Sequence, residues 1–550
     1  MPESLSSTQL QALVRQILSR RGYTTDEAIV EFLNPDYDTS LHDPFLLTDM
    51  EPAVERIVKA VKKGESIVIY GDYDIDGLTA TSLMLDFLGG LGAKVTGYIP
   101  DRFEEGYGIN RQALAKLQKD GADLVISVDC GITSHSEAAW AKSHGLDLVI
   151  TDHHAVPEQI PVAFAVINPK RPHDKYPFKD LAGVGVAFKL AQAIQTRLGK
   201  PAAGQEKWLL DLVALGTVCD VVTLVGENRV LVRYGLKVLA RTRRVGLVAL
   251  AKVAGVNLAT VSSYHLGFIL GPRLNAAGRL ENAIKALELL TTDDAILAAE
   301  NAQHLDTLNR ERRDQQAVIA AAANLQAEQY ENEPVLVLAD PEWSHGIVGI
   351  VASKLLERYH KPTLVIQIMG ETAKGSGRST GWFNLIEGLR QLDPDMFLKL
   401  GGHHFAAGFT LPTAKIDDLR AGLIKLTAGK APAIQEVATA DLEVSDFSDL
   451  SLELIKALDE LEPFGNGNPK PVIAATGARV LKLTRVGAEG QHLKLVLTDE
   501  GGVTLGGIGF SMAERHPNLT VGQQVEVWFH LAENTFSGFS KPEFILTNLR

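Results

Sequence analysis

Between about residues 64 and 170, short apolar runs alternate with longer amphipathic or small-residue stretches. Ser66–Tyr70, Lys94–Ile99, Asp123–Val128, Asp147–Ile150 and Ala163–Ile167 read as strands, and the segments between them as helices. Strands and helices at this spacing predict right-handed βαβ units and a parallel sheet. Leu124-Val-Ile-Ser-Val128 lacks polar alternation, as expected of a strand buried on both faces. Between 281 and 331 Gly and Pro vanish while Ala, Leu, Glu, Gln and Arg dominate, which predicts a long helix. Its stretch Asn309-Arg-Glu-Arg-Arg-Asp314 is polar all round, as on a helix solvated between two domains. Pro334-Val-Leu-Val-Leu-Ala339 then opens a second α/β unit that runs to about 430. From about 435 the pattern changes to short β-rich runs, Val472–Ala475, His492–Leu497 and Val525–His530, separated by Gly-containing turns, which predicts a small β-barrel or sandwich.

A chain of 550 residues must divide into several cores. The expected units are an N-terminal segment 1–50, a parallel-sheet domain 51–280, a connecting helix 281–331, a second α/β domain 332–432 and a β module 433–550. Composition is ordinary for folded proteins, with 45% hydrophobic and 22% charged residues. Met1-Pro-Glu-Ser-Leu-Ser-Ser lacks a basic region followed by an apolar run, and no apolar stretch of about 18 residues occurs, so a cytoplasmic location without membrane contact is expected. The two cysteines, Cys130 and Cys219, are too few for a disulfide framework and read as reduced packing residues. A formal charge of −13 argues against coating nucleic acid through a global positive field but leaves room for a local basic channel. It also suits a carboxylate-rich site that awaits cations.

The candidate chemistry lies at predicted strand ends. Ser66–Tyr70 runs into Gly71-Asp-Tyr-Asp-Ile-Asp-Gly77, Asp123–Val128 into Asp129-Cys-Gly131, and Asp147–Ile150 into Thr151-Asp-His-His154. Ligand sites in open parallel sheets form outside the carboxyl ends of the strands, so these loops should converge. A single Asp in such a position is most often a helix cap. Crowded carboxylates at three successive strand ends stay ionised together only when cations compensate them. A mostly oxygen ligand set with one or two imidazoles suits two divalent ions, Mn²⁺ or Mg²⁺, better than zinc.

Gly71-Asp-Tyr-Asp-Ile-Asp-Gly77, Val128-Asp-Cys-Gly131, Thr151-Asp-His-His154 and Val218-Cys-Asp-Val-Val222 together resemble the motifs of the DHH phosphoesterase superfamily. Asp101-Arg-Phe-Glu-Glu-Gly-Tyr-Gly108, Gly271-Pro-Arg-Leu-Asn-Ala-Ala-Gly-Arg279, Ser344-His-Gly-Ile-Val-Gly349, Gly375-Ser-Gly-Arg-Ser379, Gly401-Gly-His-His-Phe-Ala-Ala-Gly408 and Pro463-Phe-Gly-Asn-Gly-Asn-Pro469 extend the likeness to its bacterial single-strand exonucleases. The resemblance implies an α/β fold: a parallel-sheet DHH domain and a DHH-associated domain joined by a long helix, plus a C-terminal OB-like barrel. It implies that Asp129 bridges two ions, Asp74 serves one, and Asp76, His153 and Asp220 serve the other. Asp152 would orient a ligating histidine, and His154 would face the scissile phosphate. Many members carry a ligating His four residues before the first motif aspartate, whereas this chain has Tyr70. The first ion would then bind weakly, use Asp72 or water, or arrive with substrate.

The resemblance further implies a 5′→3′ exonuclease that degrades single-stranded DNA to 5′-mononucleotides in repair and recombination. It would act as a monomer, alongside a single-strand-binding protein and a helicase. Arg102, Ser376 and Arg378 would receive the 5′ phosphate, and Arg273, Arg279 and His403 would face the scissile or neighbouring phosphates. The glycines of 375–379 and 401–404 would leave backbone N–H groups open to those oxygens. Phe510, Trp528, Phe529 and Phe536 are stacking candidates, although aromatics at strand spacing are more often core. A phosphodiesterase for short oligonucleotides and a non-catalytic scaffold are the competing readings. The β module weighs against the first, and the intact motif carboxylates weigh against the second.

Overall fold

The computed structural model of this chain describes residues 6–102, 105–106, 108–430, 439–536 and 538–550. The expected boundary at 432–433 and motif residues Phe103, Glu104 and Tyr107 lie outside them. Strands β1 (Ser66–Tyr70), β2 (Lys94–Tyr98), β3 (Leu124–Val128), β4 (Asp147–Thr151) and β5 (Ala165–Ile167) form one parallel sheet in the order β2-β1-β3-β4-β5. Helices cross over between each of the first four strands, which is what parallel neighbours require. Period-two alternation sorts the side chains. Ile67 and Ile69 enter the core with helices Met50–Lys63, Ile75–Gly90 and Gly183–Leu198, while Val68 and Tyr70 face helices Arg111–Lys119 and His135–Ser143. The central strand β3 is buried at every residue. Because all five strands run one way, their carboxyl ends deliver their loops to a single edge.

Where one helix is expected over 281–331, the chain forms two, Ile284–Thr291 and Ala295–Glu328. The break is a cap rather than a glycine: the Asp294 carboxylate accepts the amides of Ile296 and Leu297 at 2.8 and 3.3 Å and restarts the helix. The second helix has 34 residues and changes partners along its length. Ala298, Ala302 and Leu305 pack into the first domain, and Ile319, Ala323 and Ala327 into the second.

The second domain carries β6 (Leu336–Asp340), β7 (Thr363–Met369), β8 (Thr372–Arg378), β9 (Lys399–Gly402) and β10 (Ala406–Pro412) in the order β6-β7-β8-β10-β9. Only β6 and β7 are parallel in this sheet. The third unit opens with β11 (Leu442–Val444), which lies beside β12 (Ile473–Val486). Strands β12, β13 (His492–Thr498), β14 (Thr504–Gly509), β16 (Lys541–Leu549) and β15 (Gln524–Asn534) pair in that order, and β15 returns to β12, closing an OB-like barrel.

The N-terminal helices Ser7–Arg20 and Asp26–Leu33 share the barrel's core through Val14, Ile17, Leu18, Ile29 and Phe32. Arg229, buried in the first domain, fastens this assembly by donating to the carbonyls of Phe32 and Leu461 at 3.0 and 2.9 Å. No described helix is long and apolar enough to cross a membrane.

Candidate metal centre and phosphate cleft

The loop after β1 presents three carboxylates. Asp72 is buried. Asp74 caps helix Ile75–Gly90, accepting the Gly77 amide at 3.1 Å, and Asp76 sits within its first turn. Asp76 also reaches across to a second helix, where its two oxygens accept the amides of Gly183 and Val184 at 2.6 and 2.7 Å. Helix Gly183–Leu198 thus starts on a carboxylate, which its positive end favours.

After β3, Asp129 adopts the left-handed region at φ 61° and turns its buried carboxylate back over the strand ends. Glycine at 183 makes room for it. A Cβ at that position would stand 2.5 Å from Asp129 Oδ1. After β4, Asp152 is fully buried and saturated, as Oδ1 accepts the amides of His153 and His154 at 2.7 and 2.9 Å and Oδ2 accepts the Ile132 amide at 2.8 Å. The His154 ring lies 2.8 Å from the same Oδ1 through Nδ1. Asp220 closes the set from the C-terminal end of helix Leu210–Cys219. His153 Nε2 lies 3.2 Å from Asp129, 3.6 Å from Asp220 and 3.7 Å from Asp76.

These groups fall into overlapping nests. Asp72, Asp74 and Asp129 bring one oxygen each to within 4.8 Å of one another, and so do ligand atoms of Asp76, His153 and Asp220. Asp129 with His153 and His154 forms a third group that joins them. Burial, with the neighbouring Asp74 or Asp76 charges, pushes the Asp72, Asp129 and Asp220 carboxyls well above their ordinary range, and Asp76 up to about 7. Burial also opposes ionisation of Asp152, but the His154 ring overrides it and holds that carboxyl at about 2. Asp152 in return lifts His154 to about 9 against its own burial. His153 is pushed down to about 3 by burial and the His154 charge, leaving the neutral imidazole that a metal requires.

Oδ1 of Asp72, Oδ1 of Asp129 and both ring nitrogens of His153 are buried without a hydrogen-bond partner. Orphaned lone pairs in two oxygen-rich nests fit a pair of hard divalent cations. Tyr70 contributes nothing to them. Its buried hydroxyl donates to the Gly108 carbonyl at 3.2 Å, so Asp72 fills the first nest instead.

Facing the nests is a cleft of about 810 Å³ between the two α/β domains. From the first domain come Asp72, Asp74, Arg102, His154 and Arg279, and from the second Ser376, Arg378 and His403. Arg102 stacks on Tyr73 at 5.1 Å, Arg279 donates to the Gly346 carbonyl at 3.2 Å, and Arg378 donates to Ser376 Oγ at 2.9 Å. Burial, with the neighbouring Arg102 charge, lowers the pKa values of Arg279 and Arg378, with Arg279 down to about 10. Cations left crowded in this way make a receptor for phosphate.

Arg273 departs from the expected set. It is absent from the described residues lining the cleft, and it binds Asp306 of the long helix at 2.9 Å and the Ile269 carbonyl at 2.6 Å. Conversely, His345 of the Ser344–Gly349 motif, Lys374 and Lys399 also line the cleft, beyond the expected phosphate-facing set. Lys374 shares the cleft-facing alternation of β8 with Ser376 and Arg378, a period-two signal present in the sequence. Of the aromatic candidates, Phe529 and Trp528 are buried, while Phe510 and Phe536 are exposed.

Residues 66–217 match the DHH family, N-terminal domain; residues 332–428 match the DHHA1 domain; and residues 440–548 match the RecJ OB domain. Single-stranded-DNA-specific exonuclease RecJ of Bacillus subtilis is 40% identical over 97% of this chain and 67% of its own length. The protein of the same name from Dickeya dadantii is 36% identical over 98% of this chain and 96% of its own length. The crystal structure of RecJ in complex with Mn²⁺ from Thermus thermophilus superposes with a TM-score of 0.85 at 32% identity, covering 98% of this chain and 76% of that one. A Mg²⁺ complex from the same source gives a TM-score of 0.79 at 30% identity, covering 98% and 75%.

Proposed function

Since this chain belongs to the RecJ family of single-stranded-DNA-specific exonucleases, we propose that it removes 5′-mononucleotides from the 5′ end of single-stranded DNA by metal-assisted phosphodiester hydrolysis, in repair and recombination. The observation that carries this reading is the pairing of two carboxylate nests, joined at Asp129, with a cation-lined cleft directly opposite. Asp129 would hold both ions, Asp74 with Asp72 one, and Asp76, His153 and Asp220 the other. When bound, two divalent ions, Mn²⁺ or Mg²⁺, supply activation of a water and charge relief at the nonbridging oxygens.

The remaining work falls to side chains of the chain itself. His154, kept protonated by Asp152, offers an N–H to the scissile phosphate. Arg378, Ser376 and Arg102 grip the terminal 5′ phosphate, and Arg279 and His403 steady the phosphates between. Arg273 leaves this set and positions the helix through Asp306. The single strand would enter between domains and continue over the barrel. A helicase and a single-strand-binding protein would supply it unpaired, to a monomer working in the cytoplasm.

The test is digestion of end-labelled single and double strands with Mn²⁺ or Mg²⁺. Mononucleotides should leave the 5′ end of the single strand, and chelation or Asp129→Ala should stop their release without changing the circular dichroism spectrum. Release from the 3′ end, or turnover by Asp129→Ala, refutes the assignment. Arg378→Ala should erase at least about tenfold of the preference for 5′-phosphorylated over 5′-hydroxyl ends. Competition between the two substrates reads this directly, and an undiminished preference would remove Arg378 from the pocket.

A further inference from the structure

Beside the end of helix Leu210–Cys219, where the Cys219 thiol meets the Leu266 carbonyl, two large aromatic side chains stand in solvent. Tyr264 is 61% exposed and Phe268 72% exposed, yet their rings stack on each other with centroids 5.1 Å apart and planes 26° apart. Large apolar groups held in a fixed geometry outside any core call for a covering surface. The backbone that carries Phe268 is unusual, because Leu266–Leu270 form a π-helical turn, a rare element that recurs at functional sites, directly after the short helix Ser263–His265 that carries Tyr264.

This ledge touches both ends of the path expected for the strand. Toward the metal nests, the Leu266 carbonyl accepts the Cys219 thiol at 3.5 Å, and Asp220 is the next residue. Val221 follows in a left-handed conformation (φ 62°) that a β-branched residue seldom adopts, and it is 65% exposed. Toward the barrel, Ser263 Oγ donates to the Phe464 carbonyl at 2.6 Å, and Asn466 Nδ2 donates to the Val221 carbonyl at 2.9 Å.

We infer that the Tyr264–Phe268 stack is a platform for one unpaired nucleobase of the single strand, holding it between the metal nests and the barrel. The inference rests on the reading of this chain as a single-strand exonuclease. A base is the occupant that fits, because ring-on-ring stacking needs only a flat face and tolerates any sequence. The ledge is also continuous, through Asp220, with the nests that would handle that strand's phosphates.

The test compares the full chain with its Tyr264→Ala/Phe268→Ala and Tyr264→Trp/Phe268→Trp variants. Affinity for a long 5′-phosphorylated strand, read by fluorescence anisotropy with EDTA present, should fall about tenfold in the alanine variant and be retained in the tryptophan variant. An abasic nucleotide walked along the strand should weaken the parent at one position, and the alanine variant should be blind to it. Unchanged affinity in the alanine variant, a flat abasic scan, or equal losses in both variants would overturn the platform. So would a change in solution mass without a change in strand binding, which would mark the ledge as a contact between copies of this chain. Absence of all hydrolysis by the parent, with the abasic effect intact, would instead overturn the exonuclease reading and leave a base-binding ledge.

Discussion

Asp152 belongs to none of the metal nests, yet it holds the two histidines that do. Its carboxylate accepts the backbone amides of Ile132, His153 and His154 as well as the His154 ring. Asp152→Ala should therefore strand three buried donors at once and cost at least about 3 kcal/mol of stability, measured by urea denaturation, while Asp152→Asn should cost less because its amide oxygen still accepts. A loss confined to activity would mean that water replaces the carboxylate. The clustering of acids at this scale was legible in the sequence, because three successive predicted strand ends of one parallel sheet must converge, whereas Asp220, at a helix end, came only with the family resemblance. Arg273 was not, since its partner Asp306 sits on another helix and only folding brings them together. Tyr70 shows the middle case. Its departure from a family position could be read from the sequence, but among the alternatives left open there only the fold singles out Asp72 as the neighbour of Asp74 and Asp129.

The start of one helix meets both nests. Gly183 donates its amide to Asp76 and leaves the space that Asp129 occupies, so a single residue spaces the two nests. Gly183→Ala should weaken Mn²⁺ binding by at least about tenfold in calorimetric titration. Gly185→Ala, whose Cβ would make only ordinary contacts with Leu181, should bind Mn²⁺ as the parent does. Equal affinities in both variants would show that helix Gly183–Leu198 shifts without cost. Strands of the parallel sheet were foreseeable because short runs rich in Val and Ile recur at βαβ spacing and end at Gly or Asp turns. The break before Ala295 carried a local signal of its own, because Thr291-Thr-Asp-Asp294 are poor helix formers and Asp294 is a ready cap for a new helix.

Over the whole molecule, the cleft exists because two separately cored domains face each other across one helix. The union of the N-terminal helices with the barrel was illegible for a related reason, since pairing between distant segments leaves no local period to read. Helix Ala295–Glu328 gives its first half to one domain and its second half to the other, with a polar middle between. That division makes the connection a torsional setting as well as a spacer. Each added residue would turn the second domain, with Ser376, Arg378 and His403, by about 100° and advance it by about 1.5 Å. One alanine inserted after Arg312 should thus abolish hydrolysis of long strands while Mn²⁺ still binds the first domain with parental affinity, as calorimetry would show. Retained hydrolysis would mean that the helix bends to restore the interface. Viewed mechanically, the two halves of the active site are indexed like teeth on a shaft, and their alignment is a matter of phase as much as of distance.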